Sequence, residues 1–261
     1  MLDVDRVLAA RVEPPIGWLM VDRPESRGAL TRELWEAFPE RLRWVAAQDG
    51  VRVVVITGTA GNFIAGADIS EFRELRSDPE LARRYDRGAV DSIAVLEGLA
   101  VPSIAMIGGP CLGGGCLIAF ACDLRIASDR AFLGIPAGKL GLAYPHPAIE
   151  RLVAVAGEST ALDLLLTGRF VAGDEARALG LVQRCVPAAE LEASTRDWAA
   201  QIARMAPLAV QYARLAVRHR AQGVLSEARV EELVAACFAS EDYQEGVAAF
   251  LEKRAPSFKG R

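Results

Sequence analysis

Histidine is nearly absent: His146 and His219 are the two in 261 residues. The five cysteines are odd in number, and none stands in C-x-x-C spacing. Such a set offers little to a metal centre or a disulfide framework, and it fits reduced thiols in a cytoplasm. Positive charge is in deficit. Thirty basic against 34 acidic side chains leave a net charge of −4 and a pI near 5.4. No basic patch is interleaved with aromatic residues, so neither nucleic acid nor a membrane surface is an expected partner. The opening MLDVDRVLAARVEPP has early acids and no apolar signal core, which adds to the expectation of a cytoplasmic protein. Low-complexity linkers and internal repeats are also missing. Charge is absent from Gly98 to Cys122, a membrane-helix length. The two prolines and the glycines of that run point instead to a buried strand, a turn and a helix.

What is present is an ordinary globular balance, 52% hydrophobic and 25% charged, in a chain long enough for one sizeable core. GWLMVDRP reads as a strand ending at Pro24. TRELWEAFPERLRWVAAQ reads as a helix capped by Thr31, with Leu34, Phe38, Leu42 and Val45 at helical spacing. VRVVVITG and VPSIAMIGG are β-branched or apolar runs expected as buried strands. Between them, Asp78-Pro79 starts a helix running to Gly98. DLRIASDRAFLGI reads as paired strands, and GLVQRCVP as one more. Asp163–Thr167 and Asp174–Leu179 read as short helices, the second closed by Gly180. From Pro187 onward the pattern is helical, with Trp198, Ile202, Met205, Leu208, Val210 and Leu215 expected to pack on the core or on another subunit. The expected organisation is α/β, a core over residues 1–190 and a helical region over 191–261.

The chemistry concentrates in GGPCLGGGCLIAFACD, residues 108–123. A strand, a glycine turn and a helix start leave first-turn N–H groups free to bind an anion. The segment lacks both the G-x-x-x-x-G-K-[ST] phosphate loop and the G-x-G-x-x-G dinucleotide pattern, so a developing oxyanion is a candidate. Close packing of the glycines on a neighbouring strand is the structural alternative. FIAGADIS has the same design. Two N–H donors on neighbouring strand ends suit a thioester carbonyl becoming an enolate.

With DRPESRGAL, FIAGADI, AMIGGPCLGGGCLIAFACDLRIAS, the LTGR-to-GLV run at 166–182 and FLEKRAPSFKGR, the chain resembles the enoyl-CoA hydratase/isomerase (crotonase) superfamily over essentially its whole length. The resemblance implies a spiral of ββα units with a C-terminal helical trimerisation region, and a homotrimer or a hexamer of paired trimers. It implies a coenzyme A thioester as substrate and no further cofactor. It puts an oxyanion hole at the N–H groups of Ala67 and Gly114. Adenosine and pantetheine would lie along Ala65, Ala67, Asp68 and Ile69. Arg23, Arg27 and Lys259 are phosphate contacts on this reading, within or across subunits; solvated surface charge is the other.

The sequence departs from the family where its hydratases carry two glutamates twenty residues apart. Those positions hold Leu117 and Ala137, and the isomerase aspartate eight residues on is Pro145. Neither Leu117 nor Ala137 can move a proton. The polar residues left nearby are Tyr144, His146 and Glu150. The L-G-x-x-Y pattern resembles the methylmalonyl-CoA decarboxylases of the superfamily, whose tyrosine orients the departing carboxylate. The expectation is therefore decarboxylation of a malonyl- or methylmalonyl-type thioester, with Tyr144 and His146 as catalytic residues. Alternatives are a hydratase, isomerase or thioesterase using His146 or Glu150, and a non-catalytic acyl-CoA-binding protein. Asp68 is expected to cap a helix, Glu150 to sit in a first turn, and Asp123 to be structural.

Overall fold

The computed structural model describes residues 3–222 and 226–261. A short helix α1 (Val4–Val7) leads into strand β1 (Leu8–Glu13), which turns at Pro14-Pro15 into β2 (Ile16–Val21). Helix α2 (Arg32–Ala46) crosses to β3 (Val53–Gly58), and α3 (Phe72–Ser77) with α4 (Pro79–Gly98) crosses to β4 (Ser103–Ile107). Then come β5 (Pro110–Leu112), α5 (Gly114–Ala121), β6 (Leu124–Ser128), β7 (Phe132–Gly134) and α6 (His146–Thr167). The core ends with β8 (Phe170–Ala172), α7 (Gly173–Ala178) and β9 (Arg184–Val186). Helices α8 (Leu191–Ala203), α9 (Pro207–Gln222), α10 (Glu227–Ala239) and α11 (Glu241–Leu251) complete the chain.

The strands form two sheets. The larger runs β1-β2-β3-β4-β6-β9, antiparallel at the β1–β2 edge and parallel elsewhere. The smaller runs β5-β7-β8. The later crossovers of the large sheet drop strands into the small one, giving the α/β spiral of ββα units. Val53 to Ile56 are fully buried because helices cover both faces of the large sheet, which explains their unbroken apolar run. One face packs on α2, α4 and α5. The other packs on α8 through Trp18, Val55, Ile104, Leu191 and Ala199. The first helix after residue 190 therefore closes the core, and the separate helical layer starts at α9.

The α2 expectation matches closely: the Thr31 hydroxyl accepts from Leu34 N (3.4 Å), and Leu34, Phe38, Leu42 and Val45 are buried. Asp78 caps α4 at its expected start. Two readings need correction. DLRIASDRAFLGI does form two strands, but β6 and β7 belong to different sheets and do not pair. Asp163–Thr167 is no separate helix; it is the last turn of α6, which breaks at Gly157 (φ 77°). The uncharged run becomes β4, β5 and α5. Among the described residues no helix is long and apolar enough to cross a membrane.

Candidate active site

The site is built where the small sheet meets α5. Gly113 (φ 48°, ψ −108°) turns the chain from β5 into α5, and its N–H donates to Gly134 O (2.9 Å). The next two glycines answer contacts inside the protein. A Cβ on Gly115 would lie 1.8 Å from Ile64 O, and one on Gly114 would lie 2.6 Å from Trp35 Cζ2. The turn is thus pressed against the Ile64 strand end, which also bridges to Cys111.

That strand end supplies the second donor. Leu30 N–H donates to Gly66 O (2.8 Å) and Asp68 N–H donates to Leu30 O (2.9 Å). This parallel bridge uses the groups flanking Ala67 and leaves the Ala67 amide on the opposite side from Leu30. Gly66 (φ 98°) brings the two turns together: a Cβ there would lie 3.3 Å from Gly114 N. Among the described residues no backbone acceptor is bonded to the Ala67 or Gly114 N–H. Gly114 opens α5, so its amide is one of the helix's orphan donors.

Both turns line one cavity of about 200 Å³. Ala65, Gly66, Ala67 and Ile69 form one wall. Leu117, Ala137, Leu140 and Leu142 form an apolar floor, and α4 adds Tyr85 and Asp86. Asp86 is the one carboxylate among the described lining residues, and it is exposed at the mouth. Sequence periodicity places Asp86 on α4 and Trp35 on α2 but does not show which helix face meets the turns.

The expected polar residues divide. Tyr144 lines the cavity, and its hydroxyl donates to Gly113 O (2.8 Å). Burial pushes the phenol well above its ordinary pKa, so it remains a donor at neutral pH. His146 does not line the cavity. It is the first residue of α6, its side chain is 82% exposed, and its Nε2 lies 3.5 Å from Glu150 Oε1. Arg23 is largely committed within the chain: Nη1 donates to Asp68 Oδ2 (3.0 Å) and to Ala29 O (2.8 Å). Asp68 caps a short 3-10 turn by accepting from Ser70 N. Burial would raise its carboxyl pKa, but bonds from Ser70 and Arg23 prevail and hold it below the ordinary value. Arg27 is exposed, and its carbonyl accepts from Ala65 N (3.1 Å). Lys259 is not brought to the cavity of its own chain; its N–H donates to Asp242 Oδ1 (2.6 Å) beside α11.

The far end of α5 is tied down by arginines. Arg125 Nη1 donates to Ala119 O and Cys122 O, Arg151 Nη2 to Phe120 O (2.8 Å), and Arg218 Nη2 to Ala121 O (2.8 Å). These bonds occupy the orphan carbonyls of the helix and set positive charge at its negative end. Asp123, next along, accepts from Ser103 N, Arg214 and Arg218, a structural role as expected. A larger concavity of about 600 Å³ lies on the C-terminal helices, walled by Phe238, Val247, Phe250 and Phe258. Its walls are nearly all carbon, so the chemistry belongs to the smaller cavity.

A family model described as enoyl-CoA hydratase/isomerase matches residues 13–261. The chain is 36% identical to a probable enoyl-CoA hydratase of Mycobacterium tuberculosis, covering 94% of this chain and 95% of that protein. It is 34% identical to the 2,3-dehydroadipyl-CoA hydratase of Escherichia coli, over 93% and 94%. A crystal structure described as a putative enoyl-CoA hydratase/isomerase family protein from Hyphomonas neptunium superposes with a TM-score of 0.93, at 34% identity and 98% coverage of both chains.

Proposed function

The chain belongs to the enoyl-CoA hydratase/isomerase family, and from that premise we propose that it forms a thioester enolate between Ala67 and Gly114. The observation that carries this is the meeting of two open backbone amides in one apolar cavity. Each such donor lowers the barrier by roughly 3–4 kcal/mol where negative charge gathers on oxygen. Coenzyme A enters as part of the substrate, along Ala65 to Ile69. The electrons stay within the substrate throughout, so the reaction draws on no redox group.

The names of the relatives support an enoyl-CoA substrate, hydrated or isomerised, ahead of the decarboxylation expected from the sequence. The lining sets the route. Leu117 and Ala137 carry no proton, so the two-glutamate mechanism is not available, and Asp86 is the carboxylate that moves the proton. The carboxylate-free floor favours a second reading, decarboxylation of a malonyl-type thioester. The C–C bonding pair would pass to the thioester oxygen as CO2 leaves, and water would protonate the carbon. Tyr144 would then exchange Gly113 O for the substrate carboxylate.

We also propose a homotrimer, alone or paired into a hexamer. Its support is the apolar surface of the C-terminal helices, where Phe250 is 82% and Leu251 74% exposed in the single chain.

The test is liquid chromatography with mass spectrometry, which separates isobaric double-bond isomers by retention, after incubation with crotonyl-CoA, malonyl-CoA and methylmalonyl-CoA in parallel. Gain of one water, or a shifted double bond, with kcat lowered about 100-fold in Asp86→Asn, is the expected result. Loss of CO2 from the malonyl thioesters beside intact crotonyl-CoA would select the second reading. All three esters recovered intact would make the protein a binder and overturn both.

A further inference from the structure

Tyr144 reaches the cavity wall with one hydroxyl proton, and the protein itself takes it. The hydroxyl oxygen lies 2.8 Å from Gly113 O. A carbonyl oxygen can only accept, so the phenol donates its single proton there. The loop that carries the tyrosine is itself held. Leu142 N–H donates to Ala137 O (3.0 Å), and the following Pro145 restricts the tyrosine backbone. In this bond Tyr144 has no proton left for a substrate oxygen. Its influence on the chemistry passes through the atom it grips.

That atom belongs to the peptide whose other end is the Gly114 donor. Gly113 C=O and Gly114 N–H share one planar trans unit, so the two groups point in opposite directions. Gly113 O also accepts from Leu117 N (3.1 Å), the first bond of α5. Glycine on both sides makes rotation of this unit inexpensive, and the space beside Gly113 is open: a Cβ there would meet nothing within 4 Å. A second bond, from Tyr144, fixes the plane that the Leu117 bond alone leaves able to tilt. It also draws electron density toward Gly113 O, which makes the Gly114 N–H a stronger donor, because hydrogen bonds in a chain polarise one another.

We infer that Tyr144 is a positioning residue: its O–H, acting through the Gly113–Gly114 peptide, aims and strengthens the Gly114 donor. This rests on the reading of Ala67 and Gly114 as an oxyanion hole, and not on which reaction follows there. A hydroxyl that left Gly113 O for a substrate carboxylate would give this role up.

Butyryl-CoA labelled with ¹³C at the thioester carbon is the probe. It has no double bond to hydrate and no carboxylate to lose or to draw Tyr144 away. Difference infrared spectroscopy reads its carbonyl stretch, which falls as hydrogen bonds to the oxygen strengthen. The proteins compared are the wild type, Tyr144→Phe, which removes the donor, and Tyr144→3-fluorotyrosine, which keeps the bond and makes the hydroxyl a stronger donor. The wild type should lower the stretch relative to the free ester. In Tyr144→Phe that displacement should shrink by about a fifth or more, and in Tyr144→3-fluorotyrosine it should grow. A hydroxyl that only holds its loop would change the unfolding midpoint and leave the carbonyl where the wild type puts it, which overturns the inference. So does a fluorinated protein that displaces the carbonyl no further than the wild type, and this arm decides if Tyr144→Phe does not fold. If butyryl-CoA does not bind the wild type, or binds with its carbonyl unmoved, the oxyanion reading itself has failed.

Discussion

A glycine of the α5 turn and a glycine remote from it differ in what they forbid. Gly115 is excluded from bearing a side chain by a backbone oxygen that cannot move without parting two strand ends. Gly61 (φ 74°) has nothing within 4 Å of its missing Cβ. Gly115→Ala should therefore cost about 3 kcal/mol or more, against about 1 kcal/mol for Gly61→Ala, in urea unfolding. Gly115→Ala should also weaken acyl-CoA binding, because the Gly114 amide moves with its neighbour; equal costs would show that the turn yields freely. The sequence announces this turn, because three consecutive glycines before an apolar helix have few other uses. It cannot announce Ile64 O, a contact fifty residues away. Leu117 and Ala137 are legible as missing carboxylates from the resemblance alone. His146 is not legible: between two prolines it looks constrained, yet as the first residue of a helix it faces solvent.

At the scale of the element, α5 connects the site to the C-terminal layer. Its first amide faces the cavity, and its last carbonyls are held by arginines from β6, α6 and α9. Asp123 anchors two of the surrounding cations. Burial would raise its carboxyl pKa, but Arg214 and Arg218 prevail and keep it below its ordinary value of 3.8. A depressed folded pKa stabilises the protein fully above the unfolded pKa, and the gain is lost as pH falls through the folded value. Asp123→Asn should cost about 3–5 kcal/mol at pH 7, since it strands buried guanidinium groups. Below about pH 4 its stability should fall less steeply with pH than that of the wild type. Denaturant unfolding across the acid range checks both; parallel curves would remove Asp123 as the titrating anchor. Local pattern predicts α2, α4 and β3 well because capping and periodicity are properties of the segment. It fails for β6 and β7, since sheet membership depends on which distant strand has already taken the edge.

For the whole molecule, the unresolved balance is between buried and exposed carbon. The core is complete without α10 and α11, since α8 already covers the open face of the large sheet. Yet the C-terminal helices leave Phe238, Tyr243, Val247, Phe250 and Leu251 in solvent, around the large apolar concavity. At roughly 25 cal/mol per Å² of apolar surface, this face favours burial in a subunit contact over exposure. The helical periodicity of residues 191–261 predicts the helices but not this division of labour, because one amphipathic stripe looks alike whether it meets a sheet or a second chain. The tail is held in place by its own bonds: Asp242 accepts from Lys259 N and Gly260 N, and Arg52 donates to Phe258 O. These bonds lie within one chain, so a variant that breaks a subunit contact here is expected to keep its fold. Light scattering at micromolar concentration should give three or six times the 28.0 kDa chain mass. Phe250→Glu with Leu251→Glu should reduce this to one chain mass, with the far-ultraviolet circular dichroism of the wild type retained. A wild-type protein of one chain mass would mean that the apolar face serves another partner, and that the cavity formed by Ala67, Gly114 and Leu117 works within a single subunit.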